Sequence, residues 1–120
     1  MPRRSKAIED EPSDWRYELL DEVNRLSMNI EQELMYWRGR RRDDIVAQIE
    51  SLNDLVSALR EGANEAIRTG SLRRLIEAVR LLEGPYEPRR YMVASIRVRQ
   101  ELWRIRDILV SHVREARVTA

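Results

Sequence analysis

DDIVAQIESLNDLVSALREGANEAIR, residues 43 to 68, decides the fold. Ile45, Ile49, Leu52, Val56, Leu59, Ala63 and Ala66 recur at alternating steps of four and three. That period marks one buried stripe of an α-helix and does not suit a strand, whose side chains alternate every second residue. The polar positions between them hold Asp43, Asp44, Glu50, Asp54, Glu61 and Glu65, so the other face is acidic and solvated. A seam this regular over three heptads predicts a helix packed along its length against other helices.

Upstream, WRGRRRDD, residues 37 to 44, is the break before that helix. Leu19, Val23, Leu26, Ile30 and Trp37 form the stripe of an earlier helix, capped by Ser13 or Asp14 after Pro12. Run on as one helix, the two stripes would not line up, and Gly39 in a helix interior would cost about 1 kcal/mol. Gly39 is therefore the expected stop. Arginines then follow the negative end of the first helix, and Asp43 and Asp44 sit at the positive end of the second, as the helix dipole favours. Capping accounts for the sign of each charge but not for four arginines.

Downstream, RTGS ends the second helix, and Ser71 can cap a third with its stripe at Leu72, Leu75, Ile76, Val79 and Leu82. Gly84 and Pro85 close it. A fourth helix is predicted to start near Pro88, with its seam at Val98, Leu102, Ile105, Leu109, His112 and Ala116. SIRVR, residues 95 to 99, alternates like a strand, but the helix-compatible run from 89 to 117 favours helix. The expected fold is all-α: an antiparallel four-helix bundle of three long helices and one short, self-associating. Residues 1–12 are expected to be a flexible charged arm and 13–120 a single helical-bundle domain.

The chain of 120 residues can bury a modest core. It has no cysteine, which excludes disulfides and cysteine-held metal. MPRRSK runs directly into acidic residues without an apolar stretch, and no run approaches membrane-spanning length, so a cytoplasmic protein without membrane contact is expected. Basic and acidic groups nearly balance, 22 against 21, unlike a histone-like polycation. They are segregated: residues 43 to 65 carry 1 basic and 6 acidic groups, and residues 66 to 120 carry 12 and 6. All basic residues but Lys6 are Arg, the residue suited to bidentate contacts with carboxylate or phosphate.

Little here points to catalysis. His112 is the only histidine, so no histidine cluster for zinc and no paired Glu-x-x-His is available, and the four glycines form no phosphate loop. No catalytic residue, metal or cofactor is expected. On the last helix, Ile96, Trp103 and Val110 form an apolar line apart from the seam, and Arg99 and Arg106 fall between the two. Charge inside an apolar arc has two readings. One is a partly buried ion pair, with Glu33 of the first helix as the expected mate of Arg99. The other makes Trp103, Arg99, Arg106, Ile96 and Val110 an interface, since Trp and Arg are enriched in binding hot spots. Arg38, Arg40, Arg41 and Arg42, with Arg3 and Arg4 of the arm, are the candidate phosphate-binding residues.

RDILVSH, Arg106 to His112, resembles the Arg-x(4–6)-His signature of HEPN domains, small all-helical proteins of which many are dimeric RNA-cleaving toxins. That resemblance, seven residues long, implies Arg106 and His112 as a catalytic pair, with Asp107 as the polar residue after the arginine. WRG, Trp37 to Gly39, resembles the turn motif of small WXG-type secreted helical hairpins. Those carry a tyrosine-based signal after the turn, whereas the similar YELLD, Tyr17 to Asp21, precedes it here.

Three functional readings follow in order. The first is a non-enzymatic assembly or adaptor protein whose partner is itself, another protein, or both. The second is a nucleic-acid-associated helical protein, such as a packaging, coat or regulatory subunit, using the arginine cluster. The third is a HEPN-like ribonuclease.

Overall fold

The computed structural model describes residues 14–86 and 95–114. The arm at 1–12 with Arg3 and Arg4, the helix start expected near Pro88, and Ala116 lie outside these residues. Five helical segments follow one another: α1 (Trp15–Gly39), α2 (Asp43–Glu50), α3 (Leu52–Thr69), α4 (Arg73–Glu83) and α5 (Ile96–Leu109), the last continued by a π-helical turn over Val110–Arg114. α2 and α3 are one helix bent at Ser51. That residue keeps right-handed helical angles, φ −61° and ψ −23°, while its Oγ donates to the Gln48 carbonyl at 2.6 Å. A serine hydroxyl bonded back to a helix carbonyl in this way bends helices.

Counted through that bend, four helices pack as an antiparallel bundle, three long and one short. α1 lies between α3 and α5 and runs opposite to both. Three contacts fix its direction on the α2–α3 side. Arg16 donates to the Ala66 carbonyl at 2.9 Å, Arg60 to Asn24 at 3.1 Å, and Arg38 to Glu50 at 2.8 Å. α4 folds back along α3, with Arg74 3.5 Å from Glu61 and Arg73 3.6 Å from Glu65. No described helix is long and apolar enough to cross a membrane.

The core is the one the spacing predicts. All seven seam residues of 43–68 are buried, joined by Leu55, Val46 and Gly62. α1 contributes Leu19, Val23, Leu26, Ile30 and Leu34; α4 contributes Leu75, Ala78, Val79 and Leu82. At about 25 cal/mol per Å² of apolar surface, each leucine or isoleucine buried this way contributes roughly 1.5–3 kcal/mol.

Four expectations are corrected in detail. Leu34, not Trp37, completes the α1 stripe; Trp37 is half-buried and its indole N–H donates to Glu33 at 3.2 Å. The helical run expected over 89 to 117 is interrupted at Ser95, which has extended backbone and whose hydroxyl accepts from the Val98 amide at 3.3 Å to cap α5. The π-helical turn after Leu109 widens the helix, so Val113 enters the core and His112 is left exposed.

The fourth concerns the stop of α1. Gly39 is its last helical residue, and the left-handed position falls two residues later, on Arg41 with φ 56°. The Arg41 amide donates to the Arg38 carbonyl at 3.0 Å and the Arg42 amide to the Trp37 carbonyl at 3.1 Å. That pair of bonds is a Schellman closure, in which the left-handed residue is usually glycine.

Candidate interaction surfaces and a buried carboxyl pair

The described part of α5 carries two chemically different faces. Its outer stripe holds the five candidate interface residues. Ile96 is 61% exposed and Trp103 37%, while Arg99, Arg106 and Val110 are half-buried. The Arg106 guanidinium sits over the Trp103 ring, 5.3 Å from its centroid, a cation–π placement that holds the indole in one orientation. At the start of α5, a cleft of about 460 Å³ opens between Ile96 and Arg97 and the end of α1, where Asn29, Gln32, Tyr36 and Trp37 line it. Tyr36 meets Trp37 edge-on with ring centroids 4.8 Å apart.

The Arg99–Glu33 pair expected from the sequence does not form. Glu33 Oε1 instead accepts from the Trp37 indole and from the Ser95 amide at 3.1 Å. Its carboxylate lies at the positive end of α5, where the helix dipole favours it, and ties that end to α1.

The arginine turn is largely engaged within the molecule. Arg38 pairs with Glu50 of α2 at 2.8 Å, and Arg42 with Asp44 at 3.0 Å. The Arg42 guanidinium holds the Asp44 carboxyl below its ordinary range. Arg40 lies over the Tyr36 ring at 3.7 Å. Arg41 is exposed, and no side-chain hydrogen bond or ion pair holds it among the described residues.

The residues of the HEPN resemblance are each engaged with a different tryptophan. Arg106 lies over Trp103, and His112 stacks flat on Trp15 of α1, with centroids 5.0 Å apart and planes 3° apart. At the same end of α1, Asp14 caps the helix by accepting from the Arg16 amide at 3.0 Å. Hydrogen bonds from the Arg16 side chain and amide lower its carboxyl to about 2. Among the described residues, no group of three or more His, Asp and Glu side chains could hold a metal ion.

The sequence reading missed one feature. On the inner side of α5, Glu101 is 3% exposed, the one buried charged residue among those described. It faces Glu22 of α1, close enough for one carboxyl, when protonated, to donate to the other. Each also has an arginine on its own helix: Arg104 donates to Glu101 Oε1 at 2.8 Å, and Arg25 lies 3.0 Å from Glu22 Oε2. Burial, then the Glu22 carboxylate beside it, raises Glu101 to about 7. Burial also pushes Glu22 upward, but the hydrogen bonds from Glu101 and Arg25 outweigh it and leave Glu22 below its ordinary value. A signal for the pair did exist in the sequence. Glu22 stands three residues after Leu19 and four before Leu26, and Glu101 three after Val98 and four before Ile105. Both carboxylates therefore flank their seams at the same angular position.

Searches of family models, curated proteins and solved structures give no match to this chain.

Proposed function

We propose that this is a non-enzymatic helical assembly or adaptor protein that works through protein–protein contacts, with the outer stripe of α5 as its contact surface. The observation that carries the reading is the exposure of Ile96 and Trp103 on a helix whose other apolar stripe is already buried. Val98, Leu102, Ile105 and Leu109 satisfy the core, so the outer stripe is surplus to folding. An exposed tryptophan pre-oriented by a stacked arginine is the combination that dominates binding energy at interfaces. A second copy of the chain is the simplest partner.

Light scattering at increasing concentration tests this on the full chain. The expected result is a mass above the monomer that falls to the monomer in Ile96→Glu and Trp103→Ser, with helical content and melting unchanged. A monomer at high micromolar concentration removes the second copy as partner. Loss of fold in both variants would instead make the stripe part of the core.

The exposed Arg41 favours the second reading, a nucleic-acid-associated protein. Its signature is a gel shift that weakens steeply with salt and is lost in Arg41→Glu. The engagement of Arg38, Arg40 and Arg42 within the molecule favours the first reading.

A further inference from the structure

Glu22 and Glu101 meet where α1 and α5 pack, and each has one oxygen already committed. Arg25 takes Oε2 of Glu22 and Arg104 takes Oε1 of Glu101. The remaining two oxygens, Oε1 of Glu22 and Oε2 of Glu101, are buried and have no donor from the protein. Two ionised carboxylates would put unsatisfied acceptors of like charge against each other out of water, which is strongly unfavourable. One proton between them removes both problems: a protonated carboxyl donates, and its neighbour accepts.

We propose that Glu22 and Glu101 share a single proton and form a latch that holds α5 on α1 in acidic and neutral solution and loosens in mildly alkaline solution. The charged groups facing the pair, Arg25 from α1 and Arg104 from α5, each stay on the glutamate of their own helix. They lower the charge penalty on each side without bridging the helices. The bridge across the interface is the proton.

The direction follows from proton counting. An unfolded glutamate gives up its proton near 4.5, whereas burial and Glu22 raise folded Glu101 to about 7. Between those values the folded chain binds more protons than the unfolded one, so stability is full below the lower value and declines as pH rises through the window. Glu22 has the opposite tendency, confined to the acid side of the window, where its carboxylate gains from Glu101 and Arg25.

The test is urea unfolding of the full chain from pH 5 to pH 8.5, with His112→Gln in every variant so that the one imidazole does not contribute. The parent should lose on the order of a hundredfold in its folding constant across this range. Glu101→Gln keeps a donor toward Glu22 and an acceptor toward Arg104 but has no titrating proton, so its profile should be flat over the same range. A flat parent profile, or a Glu101→Gln profile that falls like the parent, overturns the proposal. A second measurement does not depend on that variant folding. Infrared spectra of the chain labelled with ¹³C at the glutamate carboxyls should show a protonated carboxyl band at pH 6 that is gone at pH 8.5. Absence of that band at pH 6 also overturns the proposal.

Discussion

Replacing Gly62 with alanine sets two physical effects against each other at one atom. Gly62 lies inside α3, where glycine costs about 1 kcal/mol relative to alanine, so propensity alone predicts stabilisation. The structure predicts the reverse. A Cβ at this position would lie 2.7 Å from Leu75 Cδ2, 3.2 Å from Leu75 Cγ and 3.4 Å from the Arg74 Cβ of α4. Because Cγ is crowded as well as the methyl, turning the tip of Leu75 does not relieve the contact, and Leu75 is fully buried. Either α4 moves outward or Leu75 leaves its rotamer, and overpacking of this kind costs about 1–3 kcal/mol. The net expectation for Gly62→Ala is a loss of about 1 kcal/mol, read by urea unfolding. Shortening the opposing side chain should expose the cause. Leu75→Ala alone should cost about 2–5 kcal/mol, and the double variant less than the sum, because the new methyl occupies space that Leu75 vacated. A Gly62→Ala protein more stable by the full propensity gain, with additive behaviour in the double variant, would refute the close approach of α3 and α4.

Three further outcomes are expected. Arg41→Gly should stabilise the chain by about 0.5–1 kcal/mol in thermal or urea unfolding, because the left-handed conformation costs a non-glycine residue about 1–2 kcal/mol and glycine returns part of that as unfolded-state entropy. Gly39→Ala should stabilise by a similar amount, since Gly39 is helical and a Cβ there meets nothing within 4 Å. Glu33→Ala should destabilise by about 1–3 kcal/mol, because the Ser95 amide and the Trp37 indole both lose their acceptor; amide exchange at Ser95 should accelerate, and unchanged protection there would count against the bond.

What the spacing of apolar residues conveys is which face of a helix is buried. It does so well for residues 45 to 66, where every seam position is in the core. It says nothing of how near the neighbouring helix comes, so Gly62 reads as an ordinary interior glycine although a Cβ there would lie 2.7 Å from Leu75 of α4. Helix ends are poorly legible for a related reason. The last turn of α1 is set by which carbonyls find donors, and those bonds put Arg41, rather than the glycine two residues earlier, in the left-handed position. On α5 a steady period carries the seam to His112, but the period itself widens after Leu109 and delivers Val113 instead. Of the expected site residues, Ile96 and Trp103 are exposed as an interface requires. The arginine turn is exposed too, but most of its charge is met locally.

The two sides of α1 hold their neighbours by different means. Toward α2 and α3, a tight turn closed at Arg41 and Arg42 and an apolar seam leave little choice of register. Toward α5 the chain arrives from α4, with residues 84 to 95 between the two helices. Three polar or aromatic contacts are spaced along that interface: Trp15 on His112, Glu22 on Glu101, and Glu33 on Ser95. Leucine and isoleucine pack nearly as well after a slip of one turn, but these pairs do not. A one-turn slip would leave the buried Glu101 carboxyl facing apolar neighbours, and such a group costs several kcal/mol. The carboxyl pair therefore gives α5 its register as well as its sensitivity to pH. A single substitution should separate the two roles. Glu101→Leu removes the titration and also the penalty against a slipped register. It is expected to be about as stable as the parent at pH 6 or more so, and to show amide signals of α5 doubled in NMR spectra. One sharp set of α5 signals in that variant would mean that the apolar seam alone fixes the register.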